Sequence, residues 1–121
     1  MKTALVVEDN PLVRELILSC LAGMDVGTRS AKSAEEAIDS IRHEGKPDLI
    51  LCDVLLPQRS GTDFIRHLRA HAPTRRIPVV AVTVLADEQA AHRLRAAGFN
   101  DVIAKPIDPE HFAAQVARWL K

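Results

Sequence analysis

Five short apolar runs, each followed by a stretch with helical periodicity, constrain the fold of this 121-residue chain most strongly. The runs predict strands at Ala4 to Val7, Val26 to Arg29, Leu49 to Cys52, Val79 to Val82 and Val102 to Ala104. Four of them are apolar throughout, which is typical of parallel strands buried on both faces. The second is polar, which favours an edge position. An α/β fold with an open parallel sheet follows, because a closed barrel of this kind needs eight units.

Start and stop signals bound the five predicted helices. N-caps are predicted at Asn10, Ser33, Ser60, Asp87 and Asp108, with Pro11 and Pro109 as first helical residues and Glu36 closing a capping box with Ser33. Left-handed C-caps are predicted at Gly23, Gly45 and Gly98. Apolar spacing predicts buried helix faces formed by Val13, Leu16, Ile17 and Cys20, by Phe64, Ile65 and Leu68, and by Phe112, Val116 and Leu120.

Charge and composition argue against several classes of function. The 16 basic and 16 acidic side chains cancel, so the chain has no overall attraction to nucleic acid or to anionic membranes. No apolar run approaches the ~20 residues that span a bilayer. Acidic Glu8 and Asp9 follow too soon after the start for a secretory signal. Cys20 and Cys52 lack metal or redox spacing and fit small core positions in a reducing compartment, so a cytoplasmic location is expected.

Polar side chains follow four of the predicted strands at the point where each strand ends. Glu8 and Asp9 follow the first strand, and Asp53, Thr83 and Lys105 follow the third, fourth and fifth strands. The carboxyl ends of parallel strands meet at one edge of the sheet, where open α/β sheets bind ligands. We therefore expect these five side chains to form one site.

This set of side chains suits phosphoryl transfer to a carboxylate. Three neighbouring carboxylates repel one another, and Mg²⁺, which prefers oxygen ligands, relieves the repulsion. Asp53 can then act as the nucleophile, while the metal and Lys105 balance charge on the transferring oxygens and Thr83 donates a hydrogen bond. Each residue alone also has an ordinary structural role, as a helix cap, a strand residue or a solvated lysine. Their coincidence at one edge favours the functional interpretation.

Together with their neighbours, these residues resemble the response-regulator receiver domain of bacterial two-component systems. The motifs are Glu8-Asp9-Asn10, Asp53 followed by Leu56-Pro57 and Ser60-Gly61, Thr83, and Lys105-Pro106. The resemblance covers residues 1–121 as one receiver domain. It implies a flavodoxin-like (βα)5 fold, with five parallel strands in the order 2-1-3-4-5.

The resemblance implies a metal-assisted phosphoacceptor at the third strand. Asp53 would receive the phosphoryl group. Asp9, Asp53 and the backbone carbonyl of Leu55 would bind Mg²⁺, and Glu8 would act through water.

The resemblance also implies the groups that hold the phosphoryl oxygens. Lys105 would pair with the phosphoryl group, and Thr83 would move to bond it. The peptide bond between Lys105 and Pro106 is expected to be cis.

Four apolar residues depart from the family pattern. Val102 stands where the family commonly has Tyr, Phe or His, so activation is expected to run through Thr83 and its loop or through helix four. Val84 replaces a small residue and is expected to slow the entry of bulky phosphoryl donors. Leu55 and Leu85 replace residues that are polar in many relatives, and are expected to limit attack by water and lengthen the phosphorylated lifetime.

The resemblance implies two kinds of protein partner, a phosphoryl donor and a downstream target. A histidine kinase or a histidine phosphotransfer protein would donate the phosphoryl group, and a downstream target protein would read one state. The contact face is expected on helix one or on the side formed by helix four, strand five and helix five. His92, Arg93 and Arg95 are expected to be exposed there, whereas Trp119 either plugs the core or faces a partner.

Alternatives to this interpretation stay open. No output domain is expected in the chain, although a receiver excised from a larger regulator or a hybrid kinase would look the same. A degenerate receiver could act as a phosphate-independent binding module. An aspartyl phosphatase is disfavoured, because Leu55 stands where such an enzyme needs a second aspartate; the chain is therefore expected to signal and not to turn over outside substrates.

Overall fold

The computed structural model describes all 121 residues, in which five strands and five helices strictly alternate. The strands are β1 (Lys2–Val7), β2 (Val26–Ala31), β3 (Leu49–Cys52), β4 (Val79–Thr83) and β5 (Asp101–Ala104). The helices are α1 (Pro11–Ala22), α2 (Ala34–Glu44), α3 (Gly61–Ala70), α4 (Glu88–Ala97) and α5 (Pro109–Trp119). All five predicted strands are present, β3 with the predicted bounds and the others one or two residues longer.

The strands form one parallel sheet in the order β2-β1-β3-β4-β5, so the predicted fold class is confirmed. The polar strand β2 lies at an edge, as expected from its composition. Successive strand residues point to opposite faces, which divides the core in two. Leu5 and Val7 pack with α2, α3 and α4 in one cluster, whereas Ala4 and Val6 pack with α1 and α5 in the other. None of the helices combines the length and apolar character that a bilayer span requires.

The predicted N-caps are all formed. In each helix a cap oxygen accepts from a first-turn amide: Asn10 from Leu12 and Val13, Ser33 from Glu36, Ser60 from Asp63, Asp87 from Ala90, and Asp108 from Glu110. The capping box of α2 differs from the prediction at one bond. The Glu36 carboxylate accepts from the amide of Lys32 at 3.0 Å, one residue before the cap. The positions where the helices begin are therefore set by local side-chain chemistry.

The predicted left-handed C-cap is wrong at Gly23, and at Gly45 and Gly98 only the positive sign of φ is as predicted. Gly23 ends α1 with φ −82° and ψ −2°, which is right-handed backbone open to any residue. Gly45 and Gly98 do have positive φ, 95° and 126°, but with ψ values of 171° and 0°. The amide of Gly98 still reaches back to carbonyls in the last turn of α4, so the positive φ closes that helix.

The predicted apolar faces hold for α3 and need correction in α1 and α5. Leu16 is 41% exposed, and Leu21, one turn beyond Ile17, is fully buried in its place. The spacing from Ile17 to Leu21 keeps both on the stripe that faces the sheet. Cys20 and Leu120 are only half-buried, and Leu120 follows the end of α5.

Arg69, near the end of α3, joins three parts of the chain in a way that sequence patterns do not show. Its guanidinium donates to the carbonyls of Gly98, Arg75 and Ile77 at 2.7–3.1 Å. It also donates to the side-chain oxygen of Asn100 at 2.7 Å. One side chain thus satisfies the carbonyls that lead into β4 and β5.

We expect Arg69→Ala to lower the free energy of unfolding by about 3 kcal/mol, because several charge-assisted hydrogen bonds are lost together. Urea denaturation followed by circular dichroism measures the change. Arg66→Ala is the matched control, since this arginine is 70% exposed and makes only a 3.7 Å pair with Asp63. Equal stabilities of the two variants would contradict the structural role of Arg69.

Candidate functional site

The residues predicted to form a site all lie at the carboxyl edge of the sheet. The parallel hydrogen-bond ladder continues one residue beyond the strands and places three of them. The amide of Glu8 donates to Ala31, that of Asp53 to Val7, and that of Lys105 to Thr83, each at 3.0 Å.

Four of the five predicted side chains meet directly. Carboxylate oxygens of Glu8, Asp9 and Asp53 lie within 4.8 Å of one another. The ammonium Nζ of Lys105 donates to Glu8 Oε1 at 2.8 Å and to Asp53 Oδ2 at 3.0 Å. The fifth, Thr83, is fully buried, and its Oγ1 accepts from the amide of Leu85 at 3.1 Å. That bond uses an oxygen lone pair, and the hydroxyl proton of Thr83 has no acceptor within the protein.

The site holds more negative than positive charge in a partly dehydrated setting. The side chain of Glu8 is 1% exposed and that of Asp53 is 7% exposed, whereas Asp9 is open to solvent. Burial raises the pKa of Glu8, and the negative charge of Asp53 adds to this, although hydrogen bonds from Lys105 and the Asn10 amide oppose it. Three carboxylates thus share one ammonium group.

Lys105 is held in its charged form by its two partners. Burial alone would lower the pKa of this amine, but hydrogen bonds to Glu8 and Asp53 outweigh that effect and raise it. The peptide bond from Lys105 to Pro106 is cis.

The loop between β3 and α3 fixes the orientation of Asp53. Oδ1 of Asp53 accepts from the amide of Leu55 at 3.1 Å, so both carboxylate oxygens are already engaged. Gly61 begins α3 directly beneath, with its amide bonded to the carbonyl of Val54 at 2.9 Å. A Cβ atom at position 61 would lie 2.6 Å from the carbonyl oxygen of Asp53. From the sequence, Gly61 is recognisable only as part of the Ser60-Gly61 motif; the structure shows why no side chain fits at this position.

Exposed large apolar side chains concentrate around this edge. Apart from Met1 they are Leu12 and Leu16 on α1, Leu55 in the β3–α3 loop, and Val84 and Leu85 in the β4–α4 loop. Apolar side chains grouped in this way are typical of interaction surfaces. Three of the four departures from the family pattern, at Leu55, Val84 and Leu85, therefore contribute to this apolar rim.

A carboxylate that sequence patterns do not single out joins α4, β5 and α5. Asp101 is 8% exposed and accepts from Trp119 Nε1 at 3.1 Å and from Arg95 Nη2 at 3.2 Å. Burial would raise its pKa, but hydrogen bonds from Trp119, the Val102 amide and Arg95 outweigh burial and lower it. Trp119 is thus half-buried, anchored by this bond and packed against the core cluster of α1 and α5, which favours the first of the two alternatives left open for it. Exposed Arg95 lies beside exposed His92 and Arg93, as predicted.

Val102 occupies the position next to this carboxylate. Its side chain is half-buried, and its carbonyl accepts from Gln115 Nε2 at 3.4 Å. The hydrogen bonds of Asp101 connect β5 to α4 and α5. Position 102 has no aromatic ring that could make such a connection.

Comparison with known proteins places this geometry in a family. The family model described as the response regulator receiver domain matches residues 4–117. The polar-differentiation response regulator DivK from Brucella ovis is 35% identical over 119 residues, which cover 98% of this chain and 96% of DivK. The phosphate regulon transcriptional regulatory protein PhoB from Escherichia coli is 37% identical over 112 residues, which cover 93% of this chain. This chain spans about half the length of PhoB (48%).

Solved structures agree with the sequence relatives. The receiver domain of a signal transduction histidine kinase from Syntrophus aciditrophicus superposes with a TM-score of 0.88 and 32% identity, covering 99% of this chain and 90% of that one. The receiver domain of a sensor histidine kinase from Pseudomonas aeruginosa was solved with magnesium in its active-site cleft. It superposes with a TM-score of 0.87 and 29% identity, covering 98% of this chain and 97% of that one. Since fold, motif order and relatives agree over nearly the whole length, this chain belongs to the family of response regulator receiver domains.

Proposed function

We propose that residues 1–121 form one receiver domain in which Asp53 accepts a phosphoryl group, with Mg²⁺, and signals to a protein partner. The observation that carries this proposal is the setting of Asp53. Its carboxylate is almost buried, is oriented through both oxygens, and lies beside a lysine and two further carboxylates.

The residues present fit a divalent cation. The side-chain donors are all carboxylate oxygens, which is the chemistry that Mg²⁺ prefers, and exposed Asp9 leaves room for the waters that Mg²⁺ retains. We assign Asp9, Asp53 and the carbonyl of Leu55 as ligands, with Glu8 acting through water. When bound, the metal supplies positive charge that offsets the carboxylates and the transferring oxygens.

The side chains of the chain itself account for the transfer. A carboxylate oxygen of Asp53 attacks phosphorus, and the bond from phosphorus to the donor breaks with its electron pair leaving on the donor atom. The product is an acyl phosphate, and a carboxylate nucleophile requires no base. Lys105 lies within 3.0 Å of Asp53 and balances charge on the phosphoryl oxygens. Thr83 is fully buried, so its side chain moves toward the phosphoryl group, and its hydroxyl then donates a hydrogen bond to one of these oxygens.

The apolar rim supports a protein as the phosphoryl donor and reader. Leu12, Leu16, Leu55, Val84 and Leu85 flank the acceptor, and apolar surface of this kind is buried well by another protein. We propose a histidine kinase or a histidine phosphotransfer protein as the donor, and a downstream target protein as the reader. Both cysteines are free thiols, which supports the reducing cytoplasm as the location.

Intact mass spectrometry after incubation with acetyl phosphate and Mg²⁺ tests the proposal. We expect one added phosphoryl group on the wild type and none on Asp53→Asn, which loses the nucleophile. Asp63→Asn is the control, because this exposed aspartate only pairs with Arg66 on α3. An unlabelled wild type, under conditions that label an established receiver, would exclude the proposal and favour a binding module that works without phosphate.

The apolar residues of the two loops are expected to prolong the phosphorylated state. Leu55 and Leu85 are 54% and 46% exposed, so their side chains can lie over the acceptor and limit access of water. We expect the double change Leu55→Asn and Leu85→Gln to speed the loss of phosphate about tenfold. The decay of the phosphorylated mass after removal of the donor measures this rate. Leu12→Gln, on α1, should leave it unchanged; equal decay of all three proteins would contradict the shielding.

A further inference from the structure

A groove of about 300 Å³ lies between α2 and α3, outside the acidic site. It reaches the segments that precede β3 and β4, including Gly45 and Thr74. These segments lie at the amino edge of the sheet, whereas Asp53 lies at the carboxyl edge. The groove is therefore separate from the phosphoacceptor.

The floor of this α2–α3 groove is apolar. Ile38 and Ile41 of α2 are partly buried and pack against the larger core cluster. Leu68 of α3 is 1% exposed and closes the floor between them. The side chains of Ile38 and Ile41 thus remain partly accessible to a ligand along the groove, above buried Leu68.

The rim of the groove is cationic and carries no acid. Arg42 and Lys46 are exposed, and neither has a carboxylate within 4.0 Å. No aspartate or glutamate is among the ten residues that line the groove. Unpaired cations above an apolar floor complement a ligand with an anionic head and a hydrocarbon body.

Two imidazoles lie close together beside the groove, that of His67 in the last turn of α3 and that of His71 directly after the helix. The ring centroids of His67 and His71 lie 4.2 Å apart, with planes tilted by 34°. The pKa of His67 is lowered by burial first, and then by the positive charges of His71, Arg59 and Arg42, which together outweigh the opposing charge of Glu35. The positive potential thus disfavours a further cation beside the groove.

We propose that the α2–α3 groove binds a small amphipathic carboxylate, with its hydrocarbon chain on Ile38 and Ile41 and its carboxylate paired with Arg42 or Lys46 at the rim. The volume lies at the lower end of the range for small-molecule sites, which suits a chain of about eight carbons. A macromolecular partner would need a much wider surface than this groove provides. The site is independent of Asp53 and of its phosphorylation.

Titration of the ¹⁵N-labelled full chain with octanoate, octanol and acetate separates the two halves of the recognition. We expect saturable amide shifts with octanoate, confined to α2, α3 and the segments after α2 and before β4. Octanol lacks the charge and acetate lacks the chain, so each should bind at least about tenfold more weakly. Equal affinity for octanol and octanoate, shifts elsewhere, or no saturation would overturn the proposal.

Substitutions test which cationic side chains bind the carboxylate of octanoate. The double change Arg42→Ala and Lys46→Ala should weaken octanoate about tenfold and leave octanol unchanged. Arg76→Ala removes an exposed cation outside the groove and should bind octanoate as the wild type does. Asp53→Asn should also bind normally, so that failure of this site and failure of the phosphoacceptor can be told apart. Normal octanoate binding by the Arg42 and Lys46 double variant would exclude the assigned head-group site.

Discussion

Lys105→Met is expected to lower the free energy of unfolding by about 3–5 kcal/mol in metal-free buffer, because it leaves buried carboxylates without their cation. The Nζ atom of Lys105 donates to Glu8 at 2.8 Å and to Asp53 at 3.0 Å, and the three side chains are only 14%, 1% and 7% exposed. Methionine occupies similar volume without charge, so the loss reports electrostatics and not a cavity. Phosphorylation by acetyl phosphate should also slow about 100-fold, since charge on the transferring oxygens is no longer balanced.

The stability of the Lys105→Met variant should change with pH and with Mg²⁺ in a defined direction. Burial raises the pKa of Glu8 above 4.5 in the folded protein, so the folded state binds the proton more tightly than the unfolded state. Stability from this group is therefore greatest at low pH and falls as pH rises through the folded pKa. The hydrogen bond from Lys105 lowers the pKa of Glu8, so the variant that lacks it should have a higher pKa at Glu8 and lose more stability as pH rises. Mg²⁺ should restore more stability to the variant than it adds to the wild type, because it replaces the missing charge.

Urea denaturation at about pH 5 and about pH 8, with and without MgCl₂, measures these effects. Lys32→Met is the control, because the ammonium group of this exposed lysine has no carboxylate within 4.0 Å. If Lys105→Met were as stable as Lys32→Met at both pH values, the ammonium would not compensate the buried carboxylates.

Gly61→Ala should disturb the phosphoacceptor site by displacing the backbone of Asp53. A Cβ atom at this position would lie 2.6 Å from the carbonyl oxygen of Asp53 and 2.7 Å from Cα of Val54, both backbone atoms that cannot rotate away. We expect about 3 kcal/mol of lost stability from this overpacking. Because the backbone of Asp53 must shift, phosphorylation by acetyl phosphate should slow about 100-fold as well.

Gly23→Ala is a matched control for that change. Gly23 has right-handed backbone angles, and an added Cβ atom would meet nothing closer than 4.0 Å. Alanine should therefore leave phosphorylation unchanged and add about 0.4–1 kcal/mol of stability through the unfolded chain. Circular dichroism in urea and the rate of mass increase give both quantities. A Gly61→Ala protein that matched Gly23→Ala in both would disprove the close-packing role.

Local chemistry explains why so much of the fold is predictable from the sequence. An unbroken apolar run such as Leu49–Cys52 can only be a strand buried on both faces, and its bounds are predicted to the residue. Caps such as Asn10 and Ser60 act within three residues, so their bonds follow from spacing. The close approach of Glu8, Asp53 and Lys105 is predictable because parallel strands bring their carboxyl ends to one edge.

Features that depend on packing between distant segments are not predictable in this way. The bonds of Arg69 to Gly98 and Asn100 cross about 30 residues of sequence. Asp101 accepts from Trp119, which lies 18 residues further along the chain, and no spacing rule links these two residues. Leu16 and Leu21 exchange roles because the direction in which α1 lies on the sheet, and not its apolar spacing alone, selects the buried stripe.

The anchoring of Trp119 has an optical consequence. The chain has one tryptophan and no tyrosine, so its ultraviolet emission arises from a single indole. That indole donates its N–H to Asp101, whose other oxygen is held by Arg95, at the corner where α5 meets β5 and α4. Emission wavelength and intensity depend on the charge and polarity around the ring. The molecule therefore carries an intrinsic probe at this corner, through which a rearrangement of its three elements can be followed in real time without a label.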